Sequence, residues 1–151
     1  MSDAIRATRD RTRCVESRES TKGSLLSTTA PLPLVENTLS LLMGGAFLAS
    51  HNAPDQVVIG GTTESVQGVK RMLEAEGFAT RTLAVPRPYH TPLLADAQPA
   101  FAECLARIPM QSPQLTFRSS VSLTDVSSGE TARRNLVDQL TTPVRYVQLI
   151  E

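Results

Sequence analysis

The sequence is short of cysteine, of net charge and of long apolar runs, and each shortage closes off a class of protein. Only Cys14 and Cys104 are present, far apart and at no zinc or redox spacing, so neither a metal centre nor a disulfide framework is expected. Lys plus Arg equals Asp plus Glu, 15 each, which leaves no overall field to draw the chain to nucleic acid or to an anionic membrane. No apolar run approaches the roughly 18 residues of a membrane span. The first twenty residues mix Arg6, Arg9, Arg11, Arg13 and Arg18 with Asp3, Asp10, Glu16 and Glu19 and hold no apolar stretch, so no secretory signal is expected in them. Gly44-Gly45 and Gly60-Gly61 lack the Gly-Lys-Ser/Thr of a phosphate loop, and no dinucleotide fingerprint occurs. These absences leave a reduced, cytoplasmic protein with one core.

What is present divides at about residue 33. Residues 1–33 are polar, rich in Ser and Thr and closed by Ala30-Pro31-Leu32-Pro33. Such a composition buries too little to offset the entropy of ordering, so a disordered tail is expected there. Residues 34–151 read as globular. The stretch 39–49 suggests a short helix broken by Gly44-Gly45 and running into a strand at 46–50. A β-branched run at 56–59, closed by Gly60-Gly61, reads as a buried strand. A helix over 63–76 follows, with Thr62 as cap, Val66, Val69 and Leu73 as its apolar stripe and Gly77 as its stop. Residues 78–85 alternate as a strand until Pro86. Beyond the prolines the pattern predicts a helix over 93–108 that Pro99 kinks or starts, a strand over 115–121, a loop at 127–129, a helix over 131–140 and a short element at 144–150.

His90 is the residue most suited to chemistry. It lies between a strand and a helix in Val85-Pro86-Arg87-Pro88-Tyr89-His90-Thr91-Pro92, where prolines hold a side chain in one direction at little further entropic cost. A structural or merely exposed histidine fits the same spacing. No Gly-x-Ser-x-Gly elbow offers His90 a nucleophile, since the nearest run, Gly23-Ser24-Leu25-Leu26-Ser27, has no second glycine. Cys104 falls by the inward stripe of its helix and reads as a small core residue.

Three segments together resemble the acyltransferase domain that loads malonyl units from coenzyme A onto acyl carrier protein. They are Ala49-Ser50-His51-Asn52-Ala53-Pro54-Asp55-Gln56-Val57-Val58-Ile59-Gly60-Gly61, Arg87-Pro88-Tyr89-His90-Thr91-Pro92, and Gln139-Leu140-Thr141-Thr142-Pro143-Val144-Arg145-Tyr146. The resemblance is to malonyl-CoA:acyl carrier protein transacylases and polyketide synthase acyltransferase domains, the iterative type I, enediyne or polyunsaturated-fatty-acid kinds included. It covers about residues 39–151. It implies an α/β (α+β) fold, with a ferredoxin-like small subdomain at about 46–88 and the C-terminal portion of an α/β-hydrolase-like large subdomain at about 89–151.

The resemblance also implies roles. His90 would be the catalytic base, Gln139 would orient it through its backbone carbonyl, and Asn52 would be a pocket or structural residue. Tyr89, bulky where methylmalonyl-loading relatives carry serine, implies a preference for malonyl. No cofactor is implied beyond malonyl-CoA as substrate and the phosphopantetheine of the carrier, and the implied partners are that carrier and the rest of a polyketide or fatty-acid synthase. Two features of the family are missing from the expected place before residue 39: the Gly-His-Ser-x-Gly elbow and the arginine that grips the malonyl carboxylate. A truncated coding sequence is the expectation, ahead of a second chain bearing the serine. A non-catalytic ferredoxin-like module that docks a carrier protein is the alternative.

Overall fold

The apolar pattern of residues 24–82 folds into one antiparallel sheet backed by two helices. The structure, a computed structural model, describes residues 2–42 and 44–151. Helix α1 (Asp3–Glu16) leads into strand β1 (Ser24–Thr28), helix α2 (Leu32–Leu41), strands β2 (Ala46–Ala53) and β3 (Gln56–Gly61), helix α3 (Thr63–Ala75) and strand β4 (Thr80–Thr82). A 3-10 turn at Pro92–Ala97 then precedes α4 (Gln98–Ala106), α5 (Gly129–Asp138), β5 (Val144–Arg145) and α6 (Tyr146–Ile150). The sheet order is β4-β1-β3-β2-β5. From β1 to β4 the chain runs βαββαβ with β1 and β3 in the middle, which is the ferredoxin-like arrangement.

The expected disordered tail is corrected by this topology, for the first of the four ferredoxin-like strands comes from residues 1–33. β1 pairs antiparallel with β3, Leu26 opposite Ile59, and with β4, Leu26 opposite Thr82. Leu26 is wholly buried with Val35, Val57, Ile59, Val66, Val69 and Leu73. Two adjacent leucines, Leu25 and Leu26, bury opposite faces of one short central strand, so a segment poor in apolar residues overall still completes the core. The small subdomain therefore begins at Ser24, not near residue 46. The proline pair assigned to the tail starts a helix, with Pro31 as N-cap of α2 and Pro33 in its first turn. Met43, within the stretch expected to pass from helix to strand, lies outside the described residues.

Helix α3 forms as its sequence demands. The Thr62 hydroxyl accepts from the Ser65 N–H at 3.2 Å, and Gly77, at φ +87°, closes the helix where an L side chain would be strained. Val66, Val69 and Leu73 are fully buried against the sheet, each contributing about 1.5–3 kcal/mol. The strand expected over 78–85 shortens to β4, an edge strand whose later residues are exposed.

The second core joins the chain's start to its C-terminal half. Cys14 and Val15 of α1 pack with Leu94, Ala97, Phe101, Leu105, Ile108 and Leu140. Pro99 sits in the first turn of α4, where its missing N–H costs nothing. The strand expected over 115–121 is replaced by irregular chain with a single bridge, Arg118 to Asp125. Leu115 and Phe117 are 85% and 55% exposed, so among the described residues no sheet covers this segment. β5 pairs parallel with β2, Ser50 opposite Val144, and so makes the C-terminal segment a fifth strand of the ferredoxin-like sheet. No helix among the described residues is long and apolar enough to cross a membrane.

Candidate active site

His90 is placed by three constraints. Thr91, fully buried, donates its hydroxyl to the Pro88 carbonyl at 2.6 Å. Gly60 gives the loop room on the sheet, since a Cβ there would lie 2.8 Å from Thr91 Cγ2 and 2.9 Å from Leu25 Cδ2. His90 itself takes φ 65°, a left-handed conformation that histidine reaches more often than most residues and that costs about 1–3 kcal/mol where it persists.

The third constraint is a hydrogen bond. His90 Nδ1 lies 2.7 Å from the Gln139 carbonyl oxygen. A carbonyl only accepts, so Nδ1 carries the proton and Nε2 is left with its lone pair. Gln139 is the C-cap of α5, and the carbonyls of a helix's last turn have no partner within the helix, which is why this one is free to accept. Its side chain turns back to the Leu136 carbonyl at 3.1 Å, so the backbone and not the amide meets His90.

α5 is held firmly. Ser128 caps its first turn, Arg133 reaches the Leu105 and Ile108 carbonyls, and Gln98 bonds the Val137 carbonyl and Thr141. Burial pushes the pKa of His90 below its usual value, the Gln139 carbonyl opposes that by favouring the cation, and the charge of Arg11 pushes it down again. A neutral imidazole with a free Nε2 at neutral pH is a proton acceptor.

Tyr89 packs on the second core, its ring centroid 6.5 Å from that of His90 and tilted by 51°. The Arg11 guanidinium lies over that ring, 5.8 Å from its centroid. Arg11 Nε is buried with no hydrogen-bond partner among the described residues. Asn52 is not brought to His90 by a hydrogen bond. Its amide oxygen accepts from Ser50 on the same irregular strand, beside the two shifts in register that β2 makes against β3.

Arg11 is the residue that sequence reasoning misses, because the composition of residues 1–33 gives no sign of it. Its signal is positional. Ala7, Arg11, Cys14 and Val15 stand at i, i+4, i+7 and i+8, one stripe of a helix. Cys14 and Val15 on that stripe are buried, which turns Arg11 inward beside them.

The chain matches the family model described as the acyl transferase domain over residues 1–151, and it belongs to that family. Among curated proteins it is similar to a polyunsaturated fatty acid synthase of Thraustochytrium sp., 32% identical over 95 residues covering 63% of this chain and 3% of that protein. It is also similar to the malonyl CoA-acyl carrier protein transacylase of Escherichia coli, 33% identical over 104 residues covering 68% of this chain and 33% of that protein. Among solved structures it resembles the malonyl CoA-acyl carrier protein transacylase of Coxiella burnetii, with a TM-score of 0.91 at 25% identity over 98% of this chain and 48% of that one. The acyltransferase domain of an iterative polyketide synthase in enediyne biosynthesis gives a TM-score of 0.85 at 27% identity, over 98% of this chain and 39% of that one. The chain thus spans about half the length of the solved transacylase and a third or less of these curated relatives.

Proposed function

We propose that this chain forms the base-bearing half of an acyltransferase centre that moves malonyl from coenzyme A to the phosphopantetheine thiol of an acyl carrier protein. The observation that carries the reading is the 2.7 Å contact between His90 Nδ1 and the Gln139 carbonyl. It holds the imidazole in the tautomer a general base needs, with a neutral acceptor where a Ser-His-Asp triad has a carboxylate.

In this mechanism a serine supplied by residues outside this sequence gives its proton to His90 Nε2 and attacks the thioester carbonyl. The tetrahedral intermediate expels the coenzyme A thiolate, which takes the proton back from Nε2. The carrier's thiol then loses its proton to the same nitrogen and attacks the acyl-serine, and the serine oxygen leaves with that proton. In this reading Arg11 takes the part of the arginine that the sequence pattern did not reveal before residue 39, and it receives the malonyl carboxylate. Its buried, unpartnered Nε and its charge beside His90 fit a planar anion, and a guanidinium binds a carboxylate through two parallel hydrogen bonds.

Tyr89 is the bulky neighbour that favours malonyl over a branched acyl group, and Asn52 serves the pocket through its strand. The partners in this reading are the carrier protein and the rest of a polyketide or fatty-acid synthase, in the cytoplasmic setting expected from the sequence. Two similar proteins support it: the synthase relative above, and a solved complex of a type II polyketide acyl-carrier protein with its malonyl-transacylase that matches 97% of this chain at 27% identity and a TM-score of 0.89.

The test joins this chain to the serine-bearing half of a transacylase and follows malonyl transfer to carrier protein by mass spectrometry. His90→Ala should lower kcat by about 10²–10⁴, the usual worth of general base catalysis. A joined enzyme that transfers malonyl equally well with alanine at position 90 would refute the assignment.

A further inference from the structure

We infer that Tyr89 is a positioning residue whose ring face holds Arg11 in place while leaving its charge and its N–H donors free for an incoming carboxylate. The inference rests on the reading of Arg11 given above.

The two ends of the contact are fixed independently of each other. Arg11 is three and four residues before Cys14 and Val15, both buried, so its Cα cannot swing away from the second core. Tyr89 packs on that same core and follows Pro88, itself buried, while His90 beside it is tied to Gln139. A tyrosine has only two side-chain torsions to order, so its ring makes a stiff platform.

No other group tethers the guanidinium. Among the described residues Arg11 enters no hydrogen bond and no ion pair, and its near neighbour Asp10 is occupied by Arg9 at 2.8 and 3.0 Å. The nature of the tether matters. An aspartate or glutamate under Arg11 would cancel its charge and occupy the planar fork that a substrate carboxylate needs. An aromatic face attracts the cation through its quadrupole and consumes no N–H. The ring that precedes the proposed base therefore sets where the negative end of the substrate rests relative to His90.

The experiment uses the chain as it stands, with malonate as the probe. Arg11 Nε–Hε and the ring protons of the two histidines are followed by NMR, with Arg11→Gln and His51→Gln assigning the signals. In the parent, Arg11 should show an upfield ring-current shift, and malonate should move both the Arg11 and the His90 resonances. Tyr89→Phe should keep the ring-current shift and hold malonate affinity within about twofold. Tyr89→Leu, of similar bulk and without a π face, should lose the shift and weaken malonate by about two- to thirtyfold, the span of cation–π contacts.

If Tyr89→Leu binds malonate like the parent while Arg11→Gln does not, the positioning role fails and the reading of Arg11 survives. Equal weakening in Tyr89→Phe and Tyr89→Leu would assign the effect to the hydroxyl and overturn the inference. If the parent ignores malonate, or if Arg11→Gln binds it unchanged, the reading of Arg11 falls and takes the inference with it. Thermal unfolding of each variant separates a lost contact from a lost fold.

Discussion

Replacing Leu26 by alanine tests the most consequential feature of the fold, the central strand drawn from the chain's polar start. Leu26 is fully buried, lies opposite both Ile59 and Thr82, and packs in the core formed with Val57, Val66, Val69 and Leu73. The substitution deletes three carbons, worth about 2.4 kcal/mol at roughly 0.8 kcal/mol each. The cavity adds to this, because a strand hydrogen-bonded on both sides cannot collapse into the space, so a total of about 3–4 kcal/mol is expected, within the range of such core truncations. In a domain of this size that lowers Tm by about 6–16 °C at roughly 2–4 °C per kcal/mol. Urea unfolding followed by far-ultraviolet circular dichroism measures it, with Leu115→Ala, at a residue 85% exposed, as a control that should stay within about 0.5 kcal/mol of the parent. Should Leu26→Ala behave like that control, β1 is not in the core and the ferredoxin-like assignment fails.

Burial depresses the pKa of folded His90, so the unfolded chain binds more protons as pH falls past about 6.5. Stability attributable to His90 is therefore complete above that pH and lost as pH drops through the folded value. Urea titrations across this window should show a slope that His90→Gln flattens, and an unchanged slope would contradict it. Arg11→Gln removes a like charge and should raise the His90 pKa by NMR titration, whereas Gln139→Ala should leave it unmoved because the carbonyl remains. Gly60→Ala drives a methyl towards Thr91 and Leu25, at a cost of about 1–3 kcal/mol for overpacking. It should also weaken the His90 to Gln139 hydrogen bond, visible as faster exchange of the Nδ1 proton.

Elements with strong local grammar were legible in the sequence. The cap, stripe and glycine stop of α3 all lie within sixteen residues and needed no distant partner, and His90 stood out through its proline setting. The failures share a cause, which is that the deciding partner was remote. β1 is a five-residue strand whose identity depends on β3 and β4 lying on either side of it. The segment at 115–121 alternates like a strand, but among the described residues no other strand pairs with it. Arg11 acquires meaning only when α1 folds against Tyr89, more than seventy positions away, and composition carries no trace of that.

The position of β1 also bears on how the chain acquires its shape during synthesis. β1 leaves the ribosome before any of its partners, and β4, which closes its outer side, begins more than fifty residues later, a delay of about 3–11 s at ordinary elongation rates of roughly 5–20 residues per second. Until β3 emerges Leu25 and Leu26 have no strand on either side; the β2–β3 hairpin then presents its β3 edge to a neighbour already made, and the outer side of β1 stays open until β4 follows. One central strand of the sheet is therefore the first made, and it is not flanked on both sides until β4 is out. A nascent chain clipped just past Thr28 would lose the strand that keeps β3 and β4 from becoming two raw edges open to pairing with other molecules.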